Sequence, residues 1–417
     1  MLQTANRPAP ATLGWVRRYL RPDDRVARAL TWSTMSSSLS KGVFFSVSVL
    51  FFTRVAGFTA ATVGFGLTIA GAVAVVAALS AGYLARVVGA PRVLLATTAG
   101  QGLALVAYLV VRTPAAFILV ACAAVGQQAM QRTALTTMIA ESFPGPDRVE
   151  VRARLRVVTN AFIGVGTAVA AVAIAIGTRP AYLLAMLTTG TLLFVSALPL
   201  RAGGDHARAG RGADGPAVAV RRRSPLLDRT YLVATGLYAV MTMQFGMLTV
   251  GVPLWIAGST KAPPVTVAAL LALNTVIVSL LQVWAARGAT DLSSAGRAVA
   301  RAGALLGLAC ALYAAATHGT LLVVVAVLTL ATVAHSFAEI LSEAGSWTLA
   351  FELADPANAG AYQGVSQTGA ALGAMLAPLV VTATAIEHGW IGWAVLGTLF
   401  LVTGLATFAL VRVQHRR

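Results

Sequence analysis

Lys41, Arg132, His335, Glu339 and Glu343 stand inside long apolar runs of this chain, and Gln128 and Gln244 keep similar company. A charge held away from water is costly, so such groups turn toward a protein interior or an aqueous cavity and find partners there. His335, Glu339 and Glu343 are spaced i, i+4, i+8, which places them on nearly one face of a helix. That face is acidic and titratable, while Lys41 and Arg132 supply the opposite sign. Arg132 and Glu339 sit at matched depth in their runs, so they are expected either to form a static ion pair or to approach and separate as the molecule changes state. In the second case Glu339 changes protonation as Arg132 comes and goes, with Glu343 and Arg132 completing a proton-coupling set. Lys41, Gln128, Arg132, Gln244 and His335 form the candidate substrate-contacting set. The structural alternatives are a hydrogen-bonded interior histidine and glutamines that join neighbouring helices.

The elements that must position these groups are membrane spans. The chain has 417 residues, of which 58% are hydrophobic and only 11% charged, and its mean hydropathy is +0.79. A water-soluble fold needs more polar surface than that. Windows of about 20 apolar residues fall at 29–52, 61–84, 93–111, 115–140, 157–177, 181–200, 231–257, 265–286, 298–316, 321–344, 362–386 and 390–411. Runs this long and evenly apolar must be helices, because backbone amides left bare in hydrocarbon cost several kcal/mol each. With the N-terminus inside, the inner segments hold 25 Lys and Arg and the outer loops four, namely Arg54, Arg112, Arg179 and Lys261. Retention of basic loops in the cytoplasm then puts both termini there. Expected are a cytoplasmic segment 1–28, a six-helix bundle 29–200, a cytoplasmic linker 201–230, a second bundle 231–411 and a tail 412–417, in a cell's inner (plasma) membrane.

Several classes are disfavoured. The net charge of +17 is spread over one set of loops, which fits anionic lipid head groups, so the bilayer and not nucleic acid is the expected partner. The only lysines, Lys41 and Lys261, follow Ser40 and Thr260, so no phosphate-binding Gly-Lys-Ser/Thr loop exists. No His-Glu-x-x-His occurs, and no metal site or cofactor is expected, although His335, Glu339 and Glu343 as a partial ligand set keep a divalent-cation carrier as a lesser alternative. Cys122 and Cys310 fall in different spans as small apolar residues, without a disulfide. No removable signal peptide is evident at the N-terminus. Trp255, Trp284, Trp347, Trp390 and Trp393 lie near span ends and read as interfacial aromatics.

The linker divides the spans six and six, and an offset of 207 residues sets Arg156–Gly166 against Gln363–Gly373. The same offset pairs Gln128 with His335 and Arg132 with Glu339. At this layout the chain resembles the major facilitator superfamily. Its loop between the second and third helices, Gly82-Tyr83-Leu84-Ala85-Arg86-Val87-Val88-Gly89-Ala90-Pro91-Arg92, is similar to the family's Gly-x-Leu-Ala-Asp-Arg-x-Gly-x-Arg-Arg, with Ala85 where the family has an acidic residue that helps latch the two halves. The family's Gly-Pro-x-x-Gly-Gly ending on the fifth helix is not present. The resemblance implies an all-α fold of twelve transmembrane helices in two pseudo-symmetric six-helix bundles. It further implies a central cavity lined by the first, fourth, seventh and tenth helices, and a conformational loop built on Gly82, Arg86, Gly89 and Arg92. The expected function is that of a bacterial secondary active transporter, monomeric and not an enzyme, exporting an amphipathic organic compound such as a drug or secondary metabolite in exchange for protons. Uptake of a polar or anionic metabolite is the alternative.

Overall fold

The computed structural model describes residues 24–209 and 224–415. Among them run twelve long helices: α1 (Arg25–Leu50), α2 (Ala60–Val88), α3 (Ala90–Ala107), α4 (Pro114–Ser142), α5 (Asp147–Ile176), α6 (Arg179–Ala209), α7 (Arg229–Ser259), α8 (Val265–Arg287), α9 (Leu292–Ala315), α10 (Leu321–Glu352), α11 (Ala359–Val381) and α12 (Gly389–His415). No strand occurs among the described residues. Eleven of these helices, α2 to α12, are long and apolar enough to cross a membrane. In α1 the run Ser36-Ser37-Ser38 with Ser40 and Lys41 dilutes the apolar character.

Short polar residues start the helices. Asp24, Thr59, Thr113, Asp228 and Thr320 each accept a bond from an otherwise orphaned first-turn amide. Asp291 goes further, with a reciprocal bond to Ser294, and the Ser294 amide holds its carboxyl below the usual carboxylate range. Several helices outlast their apolar runs: α5 begins at Asp147 instead of 157, α9 at Leu292 instead of 298, α6 continues past Leu200 to Ala209, and α10 reaches Glu352. The extensions carry basic and polar residues, so hydropathy alone leaves them out of the spans. Five-residue π turns follow α1 (Phe51–Val55) and α11 (Thr382–Ile386) and interrupt α7 (Met247–Gly251).

Helix neighbours repeat with a shift of six. In the first half α1 packs on α5 and α6, α2 on α4, and α3 on α4 and α6; in the second, α7 packs on α11 and α12, α8 on α10, and α9 on α10 and α12. These are the two pseudo-symmetric six-helix bundles. Each has its own apolar core, around Val47, Phe51, Tyr108 and Phe117 in the first and Met247, Trp255, Tyr313 and Trp393 in the second. A third core joins them, with Ala85, Met138 and Ile139 on one side and Val283, Trp347 and Phe351 on the other. It lies at the end where α1 begins and where Arg86, Arg148, Arg154, Arg287 and Arg297 cluster, called here the basic end. The tryptophan expectation needs correction for three residues: Trp255, Trp347 and Trp393 are buried, and the Trp255 indole donates to the Tyr313 carbonyl at 2.8 Å. Trp284 and Trp390 are exposed, as interfacial residues should be.

Candidate functional site

The two halves are tied together at the basic end. On α2, a Cβ added at Gly82 would stand 2.4 Å from the Gly360 carbonyl and 2.8 Å from the Gly364 Cα, so only glycine lets α2 and α11 approach this closely. Gly89 (φ +89) makes the turn into α3, a conformation that L side chains rarely adopt. Arg86, stacked over the Tyr83 ring at 5.6 Å, and Arg92 are exposed. Ala85, where the family has its acid, is buried beside Gly360. An ion pair on the neighbouring seam does comparable tying: the Arg287 Nη2 of α8 donates to Glu150 of α5 at 2.9 Å, and Arg154 binds the same carboxylate.

Beyond this closure a chamber of about 690 Å³ opens between the halves, lined by α2, α4 and α5 on one side and α7, α10 and α11 on the other. Arg132, Arg152, Arg156, Tyr238, Glu343 and Gln367 give it its polar wall. Arg156 Nη2 bonds Glu339 Oε1 at 2.8 Å, and its Nη1 lies 3.7 Å from Glu343 Oε2. Asn274 of α8 donates to the other Glu339 oxygen at 3.0 Å, and the Tyr238 hydroxyl donates to Glu343 at 3.4 Å. The Arg156 guanidinium also lies over the Phe245 ring at 5.3 Å, and Arg152 lies over Trp347 at 4.6 Å. The buried acidic face of α10 is thus fastened across the seam to the half-buried Arg156 of α5 by a charge-assisted network.

In this conformation Arg132 and Glu339 are not paired with each other. Glu339 is held by Arg156, and Arg132, exposed into the chamber, has no ion pair or side-chain hydrogen bond among the described residues. Matched depth put Arg132 and Glu339 at the same level, but α5, not α4, runs against α10 at this point. Arg152 and Arg156 were counted with a cytoplasmic loop, because hydropathy started the fifth span at 157. Their signal was present in the spacing: Arg148, Arg152 and Arg156 repeat every four residues, as the face of a helix does.

Two other candidates are sealed away from the chamber. His335 and Gln244 have no exposed surface, and none of their side-chain nitrogens and oxygens has a hydrogen-bond partner among the described residues. His335 instead meets the Tyr313 ring edge-on at 6.5 Å. Met241, Met243 and Met247 pack in the second bundle, while Tyr238, Thr242 and Phe245 line the chamber. Asn274 and Gln282 do join α8 to α10. Among the described residues no group of three His, Cys, Asp or Glu could hold a metal ion, and Glu339 is committed to Arg156 and Asn274.

Lys41 and Gln128 lie elsewhere, in a side chamber of about 310 Å³ inside the first bundle, bounded by α1, α2, α3 and α4. It shares Leu67 and Val125 with the central chamber.

Two mirrored helix bundles around a polar chamber, closed at one end, define a polytopic membrane transporter. The sequence model of the Major Facilitator Superfamily matches residues 30–378, and the chain belongs to that family. No curated protein matches it in sequence. Among solved structures it is similar to the human organic anion transporter MFSD10 (TETRAN), with 15% identity, a TM-score of 0.69 and coverage of 93% of this chain and 100% of that one. A bacterial homologue of the iron transporter ferroportin in its outward-facing state has 14% identity and a TM-score of 0.71, over 94% and 100% of the two chains. The proton:xylose symporter XylE has 12% identity and a TM-score of 0.66, over 93% and 95%. At these identities the likeness concerns the fold.

Proposed function

We propose that this protein is a proton-coupled secondary active transporter that exports an amphipathic organic compound by alternating access. The observation that carries the reading is the Arg156 link from α5 to Glu339 and Glu343 on α10, standing between the closed basic end and the chamber. With the basic end in the cytoplasm, as its arginines favour, this conformation faces outward. Opening the cytoplasmic side must draw α5 away from α10 and strip Arg156 from the carboxylates. A carboxylate left in that interior without a cation is far more stable protonated. Proton uptake at Glu339 or Glu343 therefore accompanies one conformational change, and proton release the other. The imposed proton gradient supplies the direction. Chamber surfaces from Leu67, Val125, Phe245 and Met375 suit an apolar solute body, and Arg132 a polar end.

The test is transport in proteoliposomes with and without an imposed pH gradient, using solutes drawn from an untargeted comparison of accumulation in cells with and without the protein. Glu339→Gln is expected to lose the response to the gradient while retaining solute exchange at equal pH. Gradient-driven transport unchanged in Glu339→Gln and in Glu343→Gln would refute the coupling. Uptake of an anionic metabolite is a second reading, favoured by the unpaired Arg132 and by the organic anion named for one structural neighbour. Solute accumulating inside right-side-out vesicles, rather than leaving them, would establish it.

A further inference from the structure

We infer that the side chamber of the first bundle is a binding subsite for an organic acid with a flat aromatic body, its anionic group on Lys41 and its body among the rings of α1 and α3. The inference rests on the transporter reading and adds the chemical class of ligand. Its first support is charge. Lys41 sits near the middle of α1, and its ammonium has no hydrogen bond or ion pair among the described residues. Among the described residues of the first bundle no acid stands at that depth: Asp24 caps α1, Glu141 ends α4, Asp147 and Glu150 open α5, and Asp205 stands in the last turns of α6. The carboxylates of the second bundle that face this way, Glu339 and Glu343, are held by Arg156. A cation kept in the membrane interior with no anion from its own chain is a large standing cost unless a ligand supplies one.

The second support is an amide. Gln101 lines the same chamber, is only 5% exposed, and its Oε1 has no hydrogen-bond partner among the described residues. A buried amide atom without a partner is uncommon and calls for one. Gln128, on the neighbouring helix α4, lines the same chamber, so two amides and an ammonium border one space. The third support is the rest of the wall. Phe44 stacks on Tyr108 with centroids 6.2 Å apart and an interplanar angle of 27°, and Phe52 meets Tyr108 at 4.8 Å. Rings edge an apolar slot of about 310 Å³, the size of a bicyclic aromatic molecule and not of a hydrated inorganic ion.

Binding is measured by calorimetry on the full chain in nanodiscs with 2-naphthoate, its neutral analogue 2-naphthamide, and dodecanoate. Wild type is expected to prefer 2-naphthoate to the amide by about tenfold or more. Lys41→Met should bring the two within about twofold, and Lys41→Arg should restore the preference. Arg301→Gln, exposed on α9 of the second bundle and in neither chamber, should leave it intact. Equal binding of acid and amide by wild type, a preference unaffected in Lys41→Met, or binding of dodecanoate with no binding of 2-naphthoate would each overturn the inference. Lys41-dependent binding in a protein that moves no solute would uphold the subsite and defeat the transport reading. Gradient-driven transport with no Lys41-dependent binding would do the reverse.

Discussion

The first bundle carries its intramembrane charge as cations, Lys41, Arg132, Arg152 and Arg156, and the second as carboxylates, Glu339 and Glu343. The two sets are not used alike. Arg152 and Arg156, on α5, are engaged with the second bundle through Trp347, Phe351 and the two glutamates. Arg132 and Lys41, on α4 and α1, face open space. Arg156 is thus paired with the second bundle's carboxylates and Arg152 with its rings, while Arg132 and Lys41 have no ion pair among the described residues.

Arg156→Met should break that contrast most severely, because it strands two carboxylates that were paired. Removing one partner of a buried ion pair costs on the order of 3–5 kcal/mol, and gradient-driven transport should fall to background in the proteoliposome assay. The exchange of charges in Arg156→Glu with Glu339→Arg should recover part of the thermal stability, read from the melting temperature. Gly82→Val acts on the closure itself, since its Cβ has no room against α11. Its expected effect is a shift toward forms open at the basic end. A cysteine introduced on the chamber wall should then label faster from that side, and transport should drop about tenfold.

Arg132→Gln tests the cation left free. With no partner to strand, stability should change by less than about 0.5 kcal/mol, while KM for an anionic solute rises about tenfold with little change in kcat. The smallest effect is expected from His335→Leu. A buried imidazole with neither nitrogen satisfied costs about 1–3 kcal/mol, so this variant should retain transport and melt a few degrees higher than wild type. Loss of pH-dependent transport in His335→Leu would instead place the histidine in the coupling path.

Much of this was legible in the residues. Twelve apolar runs and a repeat that aligned Arg132 with Glu339 anticipated the two-bundle fold, and the charged face of α10 was read from spacing alone. What escaped is the identity of the partner across the seam. Arg152 and Arg156 belong to a helix whose first two turns are too basic to register as a span, and their burial comes from the other bundle closing over them, a tertiary fact. Gln244 and His335 present the opposite case, buried away from both chambers in this conformation. Polar residues in apolar runs are drawn to cavities on average, yet side-chain direction around the helix decides each case, and the break in α7 at Met243 obscures the direction of Gln244. Trp255 and Trp393 were misplaced because span ends in the second bundle are themselves packed against one another.

Leu67 and Val125 stand with one surface toward each chamber. Aliphatic side chains of this kind yield by rotation about side-chain bonds, with the backbone at rest. Leu67→Ala would cut back that common wall and is expected to enlarge the space shared by the two chambers, while the contacts of Gly82 and Arg156 at the seam stay in place.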